Sequence, residues 1–187
     1  MNSVTPMATA TAERAPARVR LRPTMSSDLE FVLSLEQDPE NLPYITPWER
    51  TQHEAAIRFP DFRHFIVEGG ADLEAVGFVI LIGCRSPHQS LELKRMVVRS
   101  KGRGFGRAAL RVAKKVAFDD LGAHRLWLDV KTHNTRAKAL YDSEGFVQEG
   151  LLRESVRAAD GFESLVVMSM LQPEFAQRRA AGLELPA

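Results

Sequence analysis

The 187-residue sequence contains one cysteine, Cys84. A single thiol excludes an intramolecular disulfide framework and any multi-thiolate zinc site, and it agrees with a reducing cytoplasm. Net charge is nearly absent: 25 Lys+Arg offset 24 Asp+Glu, leaving +1. A general nucleic-acid binder is usually strongly basic, so no nucleic acid partner is expected. No apolar run approaches the roughly 20 residues of a membrane span, and Met1–Val19 lacks the apolar stretch of a secretory signal. The five histidines show no metal-ligand spacing and no Ser/His/Asp triad is evident, so no metal is expected. What is present is 44% hydrophobic and 26% charged residues, the composition of one compact domain with a core.

Residues 1–16 carry almost no large apolar side chains and read as a disordered arm. Residues 17–172 read as one domain and 173–187 as a surface tail with a short helix at most. A strand at Val19–Arg22 leads to a capping-box signal, Ser27-Asp28-Leu29-Glu30, and a helix to about Gln37. A second helix runs from Thr51 to about Phe59. Three strands follow: His64–Glu68, Ala75–Ile82 and Leu91–Val98. The longest helical pattern starts at Phe105 and stops at Gly122. A strand over Arg125–Val130, a helix over Asn134–Ser143 and a hairpin around Asp160-Gly161 complete the domain. The order βααβββαβαββ predicts an α/β domain with a mixed sheet.

Chemistry begins at Ser100-Lys101-Gly102-Arg103-Gly104-Phe105-Gly106-Arg107, where a strand passes through a glycine turn into a helix. Glycines let backbone N–H groups approach a ligand, and a helix start offers unpaired donors to phosphate oxygens. The plain alternative is a left-handed turn with no ligand. Nine basic residues and no acid lie between Lys94 and Lys115, a field that reinforces anion binding where Lys101, Arg103 and Arg107 flank the turn. A Walker loop is excluded because Gly106 is followed by Arg107-Ala108. A dinucleotide and coenzyme A remain as ligands, the former because the acid Asp129 stands near a strand end.

Downstream lies Asn134-Thr-Arg-Ala137-Lys-Ala-Leu140-Tyr141-Asp-Ser-Glu-Gly145-Phe146. Together with the glycine turn it resembles the GNAT superfamily of acyl-CoA N-acyltransferases, whose members pair such a turn with Asn-x-x-Ala-x-x-x-Tyr-x-x-x-Gly-Phe. Arg20-Leu-Arg-Pro23, the Trp48 region and the last hairpin are most similar to the branch of ribosomal-protein N-terminal alanine acetyltransferases. Lys101 stands where the family usually has Arg or Gln, and the segment from Val98 to Gly102 is about two residues short. The resemblance implies a splayed sheet and acetyl-CoA as donor. Pyrophosphate would lie on Lys101, Gly102, Arg103, Gly104, Phe105, Gly106 and Arg107, and pantetheine along Met96, Val97 and Val98, with Asn134 bonded to it. Tyr141 would approach the thioester sulfur as acid. Read from the residues alone, Asn134 and Tyr141 share a helix face and serve equally as an N-cap and a core aromatic.

The implied reaction is direct transfer of an acetyl group to a primary amine: a protein N-terminus, a polyamine or another small cationic amine. The alternative is a non-catalytic domain that binds coenzyme A as a sensor or within an assembly. Strict alternation places Glu92, Lys94, Met96 and Val98 on one strand face, making Glu92 a candidate base and a candidate substrate contact; pairing with a lysine is its plain reading. His133 and Glu154 are lesser candidates, and the N–H of Met96 is a candidate oxyanion donor. Seven acids and one base between residues 28 and 54 suggest a negative rim for a cationic acceptor. Tyr44 and Trp48 are candidates to shape the acceptor pocket. Monomer and homodimer stay open.

Overall fold

A computed structural model describes residues 17–184; the arm expected over 1–16 lies outside the described residues. The chain runs β1 (Val19–Pro23), α1 (Leu29–Glu36), α2 (Arg50–Arg58), β2 (Phe62–Gly69), β3 (Glu74–Ile82), β4 (Ser90–Val98), α3 (Phe105–Lys115), β5 (Arg125–Lys131), α4 (Thr135–Ser143), β6 (Val147–Ala158), β7 (Gly161–Leu171) and α5 (Gln172–Ala180). The first eleven elements follow the order expected from hydrophobic periodicity. They form a seven-stranded sheet in the order β1-β2-β3-β4-β5-β7-β6. Its one parallel pair is β4 with β5; the other five pairings are antiparallel.

The sheet separates two cores. Val67, Val79, Leu81, Leu91, Leu93, Leu126, Leu128 and Met168 face the buried sides of α3 and α4, among them Ala109, Leu110, Ala113 and Tyr141. On the opposite face Ile66, Phe78, Ile80 and Val97 pack on Val32 and Leu35 of α1. Small alanines on α3 let the helix approach the sheet closely, and burial of these apolar side chains is the main stabilising term.

Two expectations are corrected. The signal at Ser27–Glu30 is displaced: Asp28, not Glu30, reaches back, its carboxylate accepting the Met25 N–H at 2.7 Å while two Arg22 nitrogens hold it at 2.7 and 2.8 Å. The segment after Leu171 is not a surface tail, because α5 docks on the domain. Glu174 accepts the Leu171 N–H at 2.8 Å, Pro173 lies in the first turn, and Phe175 is buried against Phe118 with ring centroids 4.7 Å apart. Proline at a helix start and the glutamate that directly follows it are the signals of that helix.

Candidate active site

The site grows out of a defect in the sheet. β4 and β5 pair only at Ser90–Glu92 with Arg125–Trp127. Beyond that β4 stays paired with β3 as far as Val98 while β5 stays paired with β7. The strands therefore diverge, and one backbone edge of Leu93–Val98 has no strand partner. This edge opens into a cleft of about 1190 Å³ whose walls also include the 39–48 loop, the glycine turn, the end of β5 and α4.

A bulge rearranges the side chains along that edge. Ile80 pairs with Arg95 and Leu81 with Leu93, so Lys94 is left over. One extra residue inverts the alternation on either side of it. Leu91 and Leu93 share the α3 side with Met96 and Val98, while Arg95 and Val97 turn toward α1. Glu92 is thus on the opposite face from Met96. It bonds Lys94 at 3.0 Å and does not reach the cleft. The expectation of Glu92, Lys94, Met96 and Val98 on one face fails for this reason.

At the other wall, Gly102 and Gly104 have φ of +78° and +85°, the left-handed region that glycine adopts without strain. A side chain built on Gly102 would meet nothing within 4 Å, so the backbone there lies open to the cleft. The N–H groups of Phe105, Gly106 and Arg107, the first of α3, have no acceptor among the described residues. An anion of the size of a pyrophosphate fits this cradle. The side chains are less free. Lys101 donates to the Glu40 carbonyl and carboxylate at 3.0 and 3.2 Å. Arg107 donates to buried Glu144 at 2.5 Å and to Ser143 at 3.0 Å. Arg103 lies over the Phe105 ring outside the cleft, and the Phe105 side chain is core. Backbone amides, more than cations, shape this wall.

From α4 come Asn134, Ala137 and Tyr141. Asn134 is the N-cap, its Oδ1 accepting the Ala137 N–H at 3.2 Å, and its side chain also borders the cleft. Tyr141 is buried, with its ring 5.8 Å from that of Phe146. Burial, with the negative charge of Asp129 adding to it, pushes the Tyr141 phenol up to about 12. At neutral pH it is a proton donor. Asp129 itself was noted in the sequence only as an acid near a strand end. It lies on β5 beside Val130 and Lys131 in the cleft wall, and its carboxylate has no hydrogen-bond or ion-pair partner among the described residues. Alternation with buried Leu128 and Val130 aims it to the α1 side, where the 39–48 loop runs.

That loop bears Tyr44 and Trp48, both in the cleft wall. His133 and Lys131 each contact the Pro43 carbonyl at 3.1 Å, and the Tyr44 and His133 rings lie 5.7 Å apart. The acids of 28–54 do not form a free rim: Asp28 pairs with Arg22, Glu30 with Arg50, Glu36 with Arg95 and Glu40 with Lys101. Glu154 and the β6–β7 hairpin tip lie away from the cleft. Among the described residues no group of three or more His, Cys, Asp or Glu is placed to hold a metal ion, and no helix is long and apolar enough to cross a membrane.

A splayed sheet, a glycine turn at a helix start and a tyrosine facing the gap define an acyltransferase site. Residues 18–147 match the model of the acetyltransferase (GNAT) domain, and the chain belongs to that family. It is an acetyl-CoA-dependent N-acetyltransferase. Among its relatives is the spermidine N(1)-acetyltransferase of Vibrio cholerae, 27% identical over 173 residues, spanning 87% of this chain and 98% of the relative. The structure of the V. cholerae spermidine N-acetyltransferase in complex with CoA and spermine superimposes with a TM-score of 0.77 at 27% identity, covering 85% of this chain and 98% of that one. Mutant forms of the same spermidine/spermine N-acetyltransferase give a TM-score of 0.75 at 27% identity over 87% and 98% of the two chains. The expected affinity for the ribosomal-protein branch finds no support among these relatives, which are polyamine acetyltransferases.

Proposed function

We propose that the protein transfers the acetyl group of acetyl-CoA directly to a primary amine of a small cationic acceptor of the polyamine kind, in the cytoplasm. One observation carries this reading: Tyr141 and the unpaired carboxylate of Asp129 border the same cleft as the free edge of β4. The two lie on opposite sides of the gap, so donor and acceptor can enter from different faces of the sheet.

Bound acetyl-CoA supplies an acyl group activated by a thiol leaving group. The amides of Gly102–Arg107 would take the pyrophosphate, with Lys101 of the same wall free to add charge if it leaves Glu40. The β4 edge at Met96–Val98 would pair with the pantetheine amides as a further strand does, and Asn134 offers its Nδ2 to the same arm. On the acceptor side, Tyr44 and Trp48 supply apolar and aromatic walls, and Asp129 attracts an ammonium.

An ammonium must lose a proton before its nitrogen can attack. Asp129 accepts that proton directly or through water and passes it to solvent, the base role the sequence assigned to Glu92. The nitrogen then bonds to the thioester carbon, and the N–H of Met96 or its neighbour on the free edge faces the charge developing on oxygen. As the C–S bond breaks, Tyr141 gives its phenolic proton to sulfur. The second proton lost by nitrogen restores the phenol. One proton is released per amide formed.

Incubation with acetyl-CoA and a panel of spermidine, spermine, an aminoglycoside and peptides with free N-termini, read by mass spectrometry, tests the proposal. A gain of one acetyl group on the polyamines is expected. Acetylation of peptides alone would overturn the acceptor class, and tight binding of acetyl-CoA with no product would favour the sensor alternative.

A further inference from the structure

The acceptor wall is held from beneath by one buried carboxylate. Glu36, the last residue of α1, is wholly buried and accepts hydrogen bonds from β4 and from the 39–48 loop. Its Oε1 accepts Arg95 Nη1 of β4 at 2.5 Å, its Oε2 accepts the backbone N–H of Trp48 at 2.5 Å, and His53 Nε2 of α2 lies 3.4 Å from the same oxygen. The Arg95 guanidinium also donates to the Thr46 carbonyl at 2.9 Å and sits 5.4 Å from the centre of the Trp48 ring. The indole also lies near His53, with centroids 5.3 Å apart. Backbone and ring of Trp48 are therefore fixed by the same pair of charges.

The contacts continue inward from His53. His64 Nε2 is 3.0 Å from His53 Nδ1, so one of the two nitrogens carries the hydrogen between them. His64 Nδ1 lies 2.9 Å from the Thr24 hydroxyl, which can donate or accept there.

We infer that Glu36 is the positioning residue of the acceptor wall, fixing Thr46–Trp48 so that Trp48 borders the cleft. This rests on the reading that the acceptor enters beside Trp48. Asn41 Nδ2 ties the start of the loop to the Leu35 carbonyl at 2.8 Å, whereas the remaining ties, Lys101 to Glu40 and Lys131 or His133 to Pro43, are solvent-exposed and contribute little. The Glu36–Arg95 pair is shielded from water, so breaking it leaves an uncompensated charge.

Two variants test the inference. Glu36→Gln keeps shape but offers one acceptor oxygen to two donors. The double variant Glu36→Met with Arg95→Met removes both charges with apolar residues of similar length, an exchange that buried pairs often tolerate, and is read if the single variant does not fold. With the polyamine acceptor, KM is expected to rise about tenfold or more while kcat changes by no more than about threefold. The Kd of acetyl-CoA, measured by calorimetry, should stay at the wild-type value. Independently of activity, acrylamide quenching of Trp48 in a Trp127→Phe background should increase at least about twofold, because a loosened loop exposes the ring. Unchanged quenching in a folded variant, or an unchanged acceptor KM, overturns the inference. If the wild type acetylates no amine, the function fails, and the quenching measurement alone decides the role of Glu36.

Discussion

Acid should destabilise this protein earlier than its carboxylates explain, and His64 is the reason. The imidazole is buried, stacked on Phe78 with centroids 5.7 Å apart and bonded to His53 and Thr24. Burial, reinforced by the neighbouring His53 and Arg95 and opposed by Asp28, pushes it down from 6.5 to about 3. The unfolded chain takes up a proton near pH 6.5 and the folded chain does not, so this contribution is complete above 6.5 and declines as pH falls toward 3. Down to pH 5.5 a carboxylate at the ordinary glutamate value of 4.5 stays about nine-tenths ionised, and one held low by arginines, such as Glu68, stays ionised further down. From pH 6.5 to pH 4.5 the loss from His64 is about 2.3 kcal/mol, because the slope starts at half of about 1.4 kcal/mol per unit and rises to nearly all of it. Urea unfolding at pH 6.5, 5.5 and 4.5 measures it. His64→Gln, which keeps a donor and an acceptor without a titrating ring, should lose less than about 1 kcal/mol over the same range. A flat wild-type curve, or an equal loss in the variant, would refute the reasoning.

Three further outcomes follow from the same structure. Asp129→Asn removes the proton acceptor at the cleft, and acceptor kcat/KM should fall about 100-fold with the Kd of acetyl-CoA unchanged in calorimetry. Gly77→Ala would put its Cβ 2.3 Å from the Val97 carbonyl oxygen, so thermal unfolding should show a loss of about 1–3 kcal/mol from overpacking of β3 on β4. Glu144→Gln removes the buried carboxylate shared by Arg107, Arg111 and Lys114 and leaves Glu184 as the one anion on Lys114 among the described residues; chemical denaturation should show a loss of about 3–5 kcal/mol.

Hydrophobic periodicity made the order of β1 to β7 legible, and the paired motifs pointed to the glycine turn and to Tyr141. The positions that were not legible depend on contacts between distant segments. Strict alternation assigned Glu92 to the face of Met96, and a bulge at Lys94 defeats it. Nothing in a linear pattern marks one residue of a strand as unpaired. The acidic stretch at 28–54 and the basic stretch at 94–115 looked like two separate fields. In the fold they partly neutralise each other, through Glu36 with Arg95 and Glu40 with Lys101. Asp129 was visible as an acid near a strand end, but only the splay of β4 from β5 makes it a cleft residue, close enough for its charge to act on Arg95 yet without a hydrogen-bond partner among the described residues. The docking of α5 was not legible because the stretch bearing Arg178 and Arg179 read as a surface tail with a short helix at most, although Arg179 lies 4.6 Å from the ring centre of buried Phe175.

The central claim is direct transfer in a cleft where Tyr141 protonates the departing sulfur, and Tyr141→Phe tests it most directly. The variant keeps the ring that packs on Phe146 and loses only the hydroxyl. Steady-state transfer from acetyl-CoA to spermidine should show kcat reduced about 100-fold or more, with the Kd of acetyl-CoA and the acceptor KM within about threefold of wild type. A kcat equal to that of the wild type would contradict the account.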